Sequence, residues 1–207
     1  MLLSGYKIHQ RNQNQYNLDD EQIKIHKLRV KESLINDIKL RKYNQIRLSQ
    51  MLWGAYFVNI RLIEVGRLQY EKCENFIKIH IPSNGKLDMD KVKESLSNSK
   101  FYIERYFGLK DYNYYCNSWL LSNQIHNMLD KDSNIHKFYN LFNIDDGESC
   151  IDDVLNFVYQ QSEINNYSEL AENTSLQRKL KQFLLNGNDI KIGKGMLKNE
   201  ENVSNRL

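Results

Sequence analysis

Cysteine and histidine are too few and too scattered in this sequence for the sites that they usually build. The three cysteines, Cys73, Cys116 and Cys150, are odd in number, widely spaced and without a paired-ligand pattern. This pattern argues against a disulfide framework and against a zinc knuckle. The five histidines include no pair at i, i+4 with a carboxylate, which is the spacing of a helical zinc site. We therefore expect reduced cysteines and no metal.

The sequence also lacks long apolar runs and a large excess of charge of either sign. No stretch of about 18 apolar residues can span a bilayer, and the apolar run at the amino terminus is too short for a signal peptide. The net charge is only +3, with 29 basic and 26 acidic residues spread along the chain, so no basic stripe calls for nucleic acid. We expect a cytoplasmic protein with no membrane or nucleic-acid partner, while anionic small molecules remain open as ligands.

The sequence does contain enough apolar material for one domain. Hydrophobic residues make up 41% of its 207 residues, which fills one core but falls short of two. Helical spacing and strand-like runs follow one another, which is typical of a mixed α/β sheet domain. The predicted helices cover residues 19–51 (one long or two shorter), 89–107, 123–142, 149–161 and 174–187, and two of the predicted strands cover residues 112–121 and 189–197.

Two more strand-like runs stand back to back between residues 60 and 82. Apolar and polar side chains alternate in each run, which gives each strand one apolar and one polar face. We expect a hairpin in which Arg67 lies opposite His80 and Gln69 opposite Lys78. Only even-numbered shifts of this register keep the two faces apart. The shared polar face is either a solvated sheet surface or a site, and it carries Arg67, Gln69, Glu71, Lys78 and His80.

Five short strings occur in order along the chain: GRLQYE at 66–71, IHIP at 79–82, CNSWLL at 116–121, SNIHKF at 133–138 and TSLQRKLKQFLLNG at 174–187. Together they resemble the bacterial acyltransferase domain-containing proteins whose C-terminal part is a GNAT-like (general N-acetyltransferase-like) domain. The resemblance covers about residues 50–195. It implies a GNAT-like mixed sheet flanked by helices, and the transfer of an acyl group from acyl-CoA or acetyl-CoA to an amine acceptor, either a small molecule or a peptide.

The resemblance also divides the chain. Residues 1–50 are expected to form an N-terminal polar arm and helix, residues 51–197 the GNAT-like acyltransferase domain, and residues 198–207 a frayed tail. Members of the family tend to carry a longer N-terminal portion than this chain does. We therefore expect a short form or a fragment, and a homo-oligomer or a partner subunit remains open.

The resemblance implies a place for CoA. In such a fold the pantetheine arm pairs with exposed backbone of a splayed central strand, here residues 76–82, and the pyrophosphate lies at the N-terminus of the next helix. The residues assigned to CoA are Ile81, Ser83, Asn84, Gly85 and Lys86. The loop departs from the family's Gln/Arg-x-x-Gly-x-Gly/Ala pattern, because it has one glycine and a nearby carboxylate, Asp88. Both differences disfavour a bound phosphate.

Acyl transfer to an amine needs a base for the ammonium proton, donors for the oxyanion and an acid for the thiolate. Glu71 or His80 is the candidate base, and the alternative for His80 is a structurally hydrogen-bonded histidine. Tyr139 is the candidate acid, with a core position as its alternative. A covalent route through a Cys116–His80 pair ranks below direct attack. The candidate substrate-binding residues are Arg67, Gln69, Ser118 and Arg178.

Two functions follow from these residues. The first is an N-acyltransferase that works by direct attack of an amine on an acyl-CoA thioester. The second is a catalytically inactive GNAT-like module that binds a ligand or another protein, which the degenerate loop at 83–88 favours. A cleft beside residues 83–86 that is lined by the polar hairpin face indicates the enzyme, and a filled, flat surface indicates the module.

Overall fold

The computed structural model describes residues 11, 14–42, 48–161, 164 and 166–198. Helices and strands alternate along this part of the chain. The helices are α1 (Asp20–Lys42), α2 (Leu48–Val58), α3 (Met89–Phe107), α4 (Asn123–Met128), α5 (Asn134–Tyr139), α6 (Ile151–Val158) and α7 (Ser175–Leu185). The strands are β1 (Leu62–Val65), β2 (Leu68–Lys72), β3 (Phe76–His80), β4 (Asn113–Ser118), β5 (Phe142–Ser149) and β6 (Lys191–Leu197).

The strands of the described residues form one six-stranded sheet in the order β1-β2-β3-β4-β6-β5. β3 and β4 are parallel, and the other neighbouring strands are antiparallel. Parallel neighbours need a crossover connection, which α3 supplies between β3 and β4. The predicted fold class, a mixed sheet flanked by helices, is confirmed.

Local sequence signals set the ends of two helices. The Asp88 side chain accepts hydrogen bonds from the backbone N–H groups of Asp90 and Lys91 at the start of α3, and Gly108 ends the helix with a φ of 67°. Thr174 and Gln177 form a capping box at the start of α7, in which each side chain accepts from the other residue's backbone N–H. The predicted bounds of α3 are therefore confirmed, as is the start of α7.

Other element predictions are wrong. The helix expected from residue 149 begins at Ile151 instead; Ser149 is the last residue of β5, and its hydroxyl donates to Asp189. The helix expected over 123–142 consists of two short helices and ends at Tyr139, because β5 begins at Phe142. The strand expected over 112–121 ends at Ser118, and residues 119–121 form a 3₁₀ helix.

The hairpin is present, but its register differs from the predicted one by two residues. Gln69 pairs with His80 and Glu71 pairs with Lys78. The difference arises at the turn between β2 and β3, where Lys72 still pairs with Ile77 and the backbone N–H of Cys73 donates to the carbonyl of Phe76. Arg67 lies before β2, in the turn at Gly66, whose φ is 58°. Since the shift is even, the polar and apolar faces are those that the alternation predicts.

Helices cover the two faces of the sheet unequally. Against one face, α3 packs into a core that contains Leu68, Tyr70, Ile77 and Ile79. On the other face, α1 and α2 lie over the β1 end of the sheet. A second apolar cluster joins α6, α7 and the start of β6. Within the described residues, no helix is long and apolar enough to cross a membrane.

The segment before the sheet packs onto the same core. Leu18 is buried in that core, and the backbone N–H of Asp19 donates to the hydroxyl of Tyr106 on α3. The domain boundary expected at residue 50 falls inside α2. The division of the chain into an arm, a domain and a tail stays a prediction.

Candidate functional site

The parallel pair β3–β4 ends before either strand does. Its register runs from Phe76 opposite Asn113 to Ile79 opposite Cys116, although β3 continues to His80 and β4 to Ser118. Residues 76–118 are all described, and no pairing between the two strands continues beyond Ile79. The next residues, His80 and Asn117, therefore flank the point where the strands part.

Alternation decides which side chains meet at this point. Ile79 and Cys116 are buried on the α3 side, so the residue after each of them points to the opposite face. His80 and Asn117 thus share a face with each other and not with Cys116. Burial raises the pKa of Cys116 to about 12. A covalent route through a Cys116–His80 pair is therefore wrong.

A hydrogen-bonded carboxylate holds the imidazole of His80. Its Nε2 lies 2.9 Å from Oε2 of Glu71, and the other oxygen of Glu71 accepts from Nε and Nη2 of Arg61 at 3.0 and 2.8 Å. The indole of Trp53 packs edge-on against the imidazole, with 4.6 Å between the ring centroids. The side chain of His80 is 17% exposed. The ring is thus held by two contacts, from Glu71 and Trp53, and keeps some access to solvent.

The electrostatics of this pair favour a neutral imidazole and an ionised carboxylate. Burial lowers the pKa of His80 and outweighs the raising effect of the hydrogen bond to Glu71. Burial raises the pKa of Glu71, but the hydrogen bond to His80 and the nearby guanidinium of Arg61 bring it below its usual value. Because a carboxylate only accepts hydrogen bonds, Nε2 of His80 carries the proton and Nδ1 has the lone pair. Among the described residues, Nδ1 has no hydrogen-bond partner.

The polar network continues beneath this pair. Nε2 of Gln69 donates to Oε2 of Glu64 at 2.6 Å, and Oε1 of Gln69 accepts from the indole N–H of Trp53 at 3.2 Å. Arg29 on α1 holds both oxygens of Glu64, at 2.7 and 2.5 Å. Gln69 is 3% exposed. Gln69 therefore holds Trp53, which packs against His80. Its contact with a substrate stays a prediction.

The side chain of Arg67, from the turn before β2, contacts the 83–86 loop that the resemblance assigns to CoA. Its Nε donates to the carbonyl of Lys86 at 2.8 Å and its Nη2 to the carbonyl of Gly85 at 2.9 Å. Ser83, Asn84, Gly85 and Lys86 are exposed, and Ile81 before them is half-buried. Arg67 therefore braces this loop.

Tyr139 lies on the other face of the sheet. Its hydroxyl donates to Oδ1 of Asn123, whose Nδ2 donates to Asp146 at 2.8 Å, and its ring stacks on His126 with 3.8 Å between centroids. Asp146 pairs with Gly193, and Gly193 pairs with Ser118, so these three residues share one face of the sheet. Ser118 is two residues after Cys116 on β4, so this is the face of Cys116, opposite to that of His80. The structure does not bring Tyr139 to the face of His80. Burial raises the pKa of Tyr139.

The remaining candidates lie apart from His80. The hydroxyl of Ser118 accepts a hydrogen bond from the backbone N–H of Leu120 at 3.2 Å. Arg178 on α7 donates to the carbonyl of Glu172 at 2.8 Å and lines an open pocket of about 490 Å³ with Met128. Neither makes a hydrogen bond to the network around Glu71. Their substrate contacts stay predictions.

The sequence reasoning missed Arg61, Trp53 and Asn117. Arg61 was available as a charge ten residues before Glu71, but nothing local indicates that the turn after α2 directs it there. Asn117 becomes a neighbour of His80 only through the parallel pairing of β3 and β4. Its Oδ1 is buried, and no described group donates to it. The described residues contain no group of three or more metal-ligating side chains.

Comparisons with known proteins agree with this fold. The family model described as GNAT-like C-terminal domain matches residues 11–197. The chain is similar to a crystal structure of an acyltransferase in complex with decanoyl-CoA, with a TM-score of 0.77 and 24% identity over 91% of this chain and 61% of that one. It is also similar to an acyltransferase mutant in complex with octanoyl-CoA, with a TM-score of 0.75 and 22% identity over 94% of this chain and 63% of that one.

A further similar structure is an acyltransferase in complex with CoA and 10C-teicoplanin, with a TM-score of 0.73 and 23% identity over 91% of this chain and 62% of that one. The chain thus spans about three-fifths of the length of these solved chains. A comparison with curated protein sequences gives no match. The family and the fold that the sequence predicts are confirmed.

Proposed function

The chain belongs to the GNAT-like C-terminal domain family, and from that membership we propose that it is an N-acyltransferase that uses an acyl-CoA donor. One observation carries the proposal: a neutral imidazole, oriented by an ionised carboxylate, stands where the parallel strands β3 and β4 part. Solved acyltransferases with this fold hold decanoyl-CoA and octanoyl-CoA, which supports a medium-chain acyl donor for this chain.

In the proposed reaction, the acceptor amine attacks the thioester carbonyl of the donor directly. Nδ1 of His80 takes a proton from the amine, the carbon–nitrogen bond forms, and the carbon–sulfur bond breaks. The products are the amide and CoA, whose thiolate takes up one proton. Tyr139, the predicted donor of that proton, lies on the other face of the sheet and is hydrogen-bonded to Asn123, so the thiolate takes its proton from solvent. Glu71 keeps its negative charge and stabilises the imidazolium that forms.

The donor is proposed to lie along the parted strands. Backbone groups at Ile81 pair with the pantetheine arm, and Ser83, Asn84, Gly85 and Lys86 meet the pyrophosphate, with Lys86 supplying the positive charge. Arg67 holds this loop through its two carbonyl contacts. The proposed acceptor is a small molecule or a peptide with a free amine. One similar acyltransferase holds a teicoplanin, which is consistent with a small-molecule acceptor.

Release of the CoA thiol tests the proposal. The chain is incubated with acetyl-, octanoyl- or decanoyl-CoA and a panel of amines, and the free thiol and the amide product are measured together. We expect amine-dependent release that His80→Gln lowers by about 10²–10⁴-fold, the range that a general base contributes. The matched control is Lys78→Gln, which changes a neighbouring residue of the same strand. Equal rates for both variants contradict a base at His80.

One observation favours the alternative, an inactive module. The carboxylate of Asp88 already occupies two backbone N–H groups at the start of α3, where a pyrophosphate would bind in the enzyme. In the module, Asp88→Asn leaves acyl-CoA binding undetectable. In the enzyme, the same substitution removes a repelling charge and strengthens binding. The two functions therefore separate on this single variant.

A further inference from the structure

Asn117 combines a position beside His80 with a buried oxygen that has no hydrogen-bond donor among the described residues. It lies on the face of His80, one residue beyond the last pair of β3 and β4, so the two side chains stand on either side of the gap between the strands. Its Oδ1 is shielded from solvent and, among the described residues, has no donor. An unpaired buried acceptor is costly and is rare in folded proteins. A ligand that brings a donor to this point removes that cost.

The attacking amine is such a ligand. A primary amine that places its lone pair on the thioester carbon has two N–H bonds directed away from that carbon. Nδ1 of His80 receives one of them and carries off the proton. The second N–H points to the other side of the gap, where Asn117 lies.

We propose that Oδ1 of Asn117 accepts the second N–H of the attacking amine and so fixes the direction of its lone pair. This role rests on the proposed acyltransferase function and adds a residue to it. Asn117 then contacts the reacting nitrogen but exchanges no proton with it. The other half of the amide suggests a rival role, in which Nδ2 donates to the oxyanion of the thioester.

The two roles differ in how they treat a secondary amine. A secondary amine has a single N–H, which His80 needs, so Asn117 gains nothing from it. We compare kcat/KM for one primary amine and its N-methyl derivative with the same acyl-CoA, in the wild type and in Asn117→Leu and Asn117→Asp. All rates are measured at one pH above the titration of His80 and divided by the fraction of each amine that is unprotonated. Leucine removes both the acceptor and the donor, whereas aspartate keeps an acceptor and loses the donor.

We expect Asn117→Leu to lower kcat/KM for the primary amine by about 10-fold or more and to leave the N-methyl derivative nearly unchanged. The ratio of kcat/KM for the primary amine to kcat/KM for the N-methyl derivative therefore falls in Asn117→Leu, and it returns to the wild-type ratio in Asn117→Asp. The melting temperature of Asn117→Leu does not fall, because the substitution removes a buried oxygen that has no donor among the described residues. If the leucine variant is too unstable to assay, Asn117→Ala takes its place.

Other outcomes separate the possible failures. Equal losses for both amines, with no rescue by aspartate, overturn the proposed contact in favour of the oxyanion role. An unchanged rate with the primary amine assigns Asn117 no part in the reaction. If the wild type turns over neither amine with any acyl-CoA, the proposed function fails and the role of Asn117 fails with it.

Discussion

His80 and Glu71 are joined by a 2.9 Å hydrogen bond although they are not cross-strand partners. The residue opposite His80 is Gln69, and Glu71 is reached diagonally across β2 and β3. This diagonal contact engages Nε2 and leaves Nδ1 for a substrate. A direct contact from position 69 is prevented because Gln69 is already bonded to Glu64 and Trp53.

The pH dependence of the reaction should report the lowered pKa of His80. Protonated His80 cannot act as a base, so kcat/KM falls as the pH drops through its pKa, which lies below the usual value of 6.5. An alkylamine acceptor with a pKa of about 10 adds a slope of one over the same range. As the pH rises, we expect the slope of log kcat/KM against pH to change from two to one, and we expect this break to lie below pH 6.5. A break above that value contradicts a buried, neutral imidazole.

Removal of the carboxylate should move this break. The hydrogen bond and the charge of Glu71 raise the pKa of His80 against the effect of burial, so Glu71→Gln lets the pKa fall further. We expect the break at a lower pH. We also expect a lower kcat/KM above the break, because the ring loses its orientation and the imidazolium loses its counter-charge. Glu71→Asp serves as the comparison that keeps the charge. An unchanged break in Glu71→Gln indicates that the titrating group is not His80.

The contacts of Arg67 with the 83–86 loop predict an effect of Arg67 on acyl-CoA binding. Arg67→Ala removes two hydrogen bonds to the carbonyls of Gly85 and Lys86. Because these bonds are exposed, we expect KM for acyl-CoA to rise by only about 3–10-fold, with a smaller change in kcat. The control is Arg105→Ala, which removes an exposed bond to the carbonyl of Asn17. Equal effects of the two substitutions argue against a donor at this loop.

The close approach of β6 to the 3₁₀ helix predicts a stability effect. A Cβ at Gly193 lies 1.9 Å from the backbone oxygen of Leu121, so Gly193→Ala forces the backbone apart. We expect a loss of about 3 kcal/mol in the free energy of unfolding, measured by denaturant titration. Gly85→Ala is the matched control, because a Cβ there meets nothing within 4 Å. It should stay within about 0.5 kcal/mol of the wild type.

The sequence patterns correctly predicted those features of the fold that depend on neighbouring residues. The bounds of α3 follow from its apolar period and from Asp88 and Gly108, and the polar face of the hairpin follows from alternation even though the register is shifted by two. β1 was not predicted as a separate strand, because its residues, LIEV, are all buried and show no alternation of a buried and an exposed face. β5 was missed because apolar alternation in FNIDDGES stops after Phe142 and Ile144, and the rest of this edge strand is polar or glycine.

The site depends on contacts that no local pattern contains. Asn117 reaches the side of His80 only because α3 returns the chain parallel to β3, and Arg61 reaches Glu71 only through the fold of the turn after α2. The resemblance supplied the fold class and the place for CoA. It supplied neither the diagonal His80–Glu71 bond nor the brace from Arg67.

A thermal-shift titration with decanoyl-CoA tests the central claim, that the parted ends of β3 and β4 bind an acyl-CoA, most directly. At about 100 times the dissociation constant, binding adds about 2.7 kcal/mol. The melting temperature should then rise by about 5–10 °C in a saturable way. Lys86→Glu should weaken the effect, and Lys131→Glu, at another exposed lysine, should not. No shift with any acyl-CoA up to millimolar concentration would contradict the account.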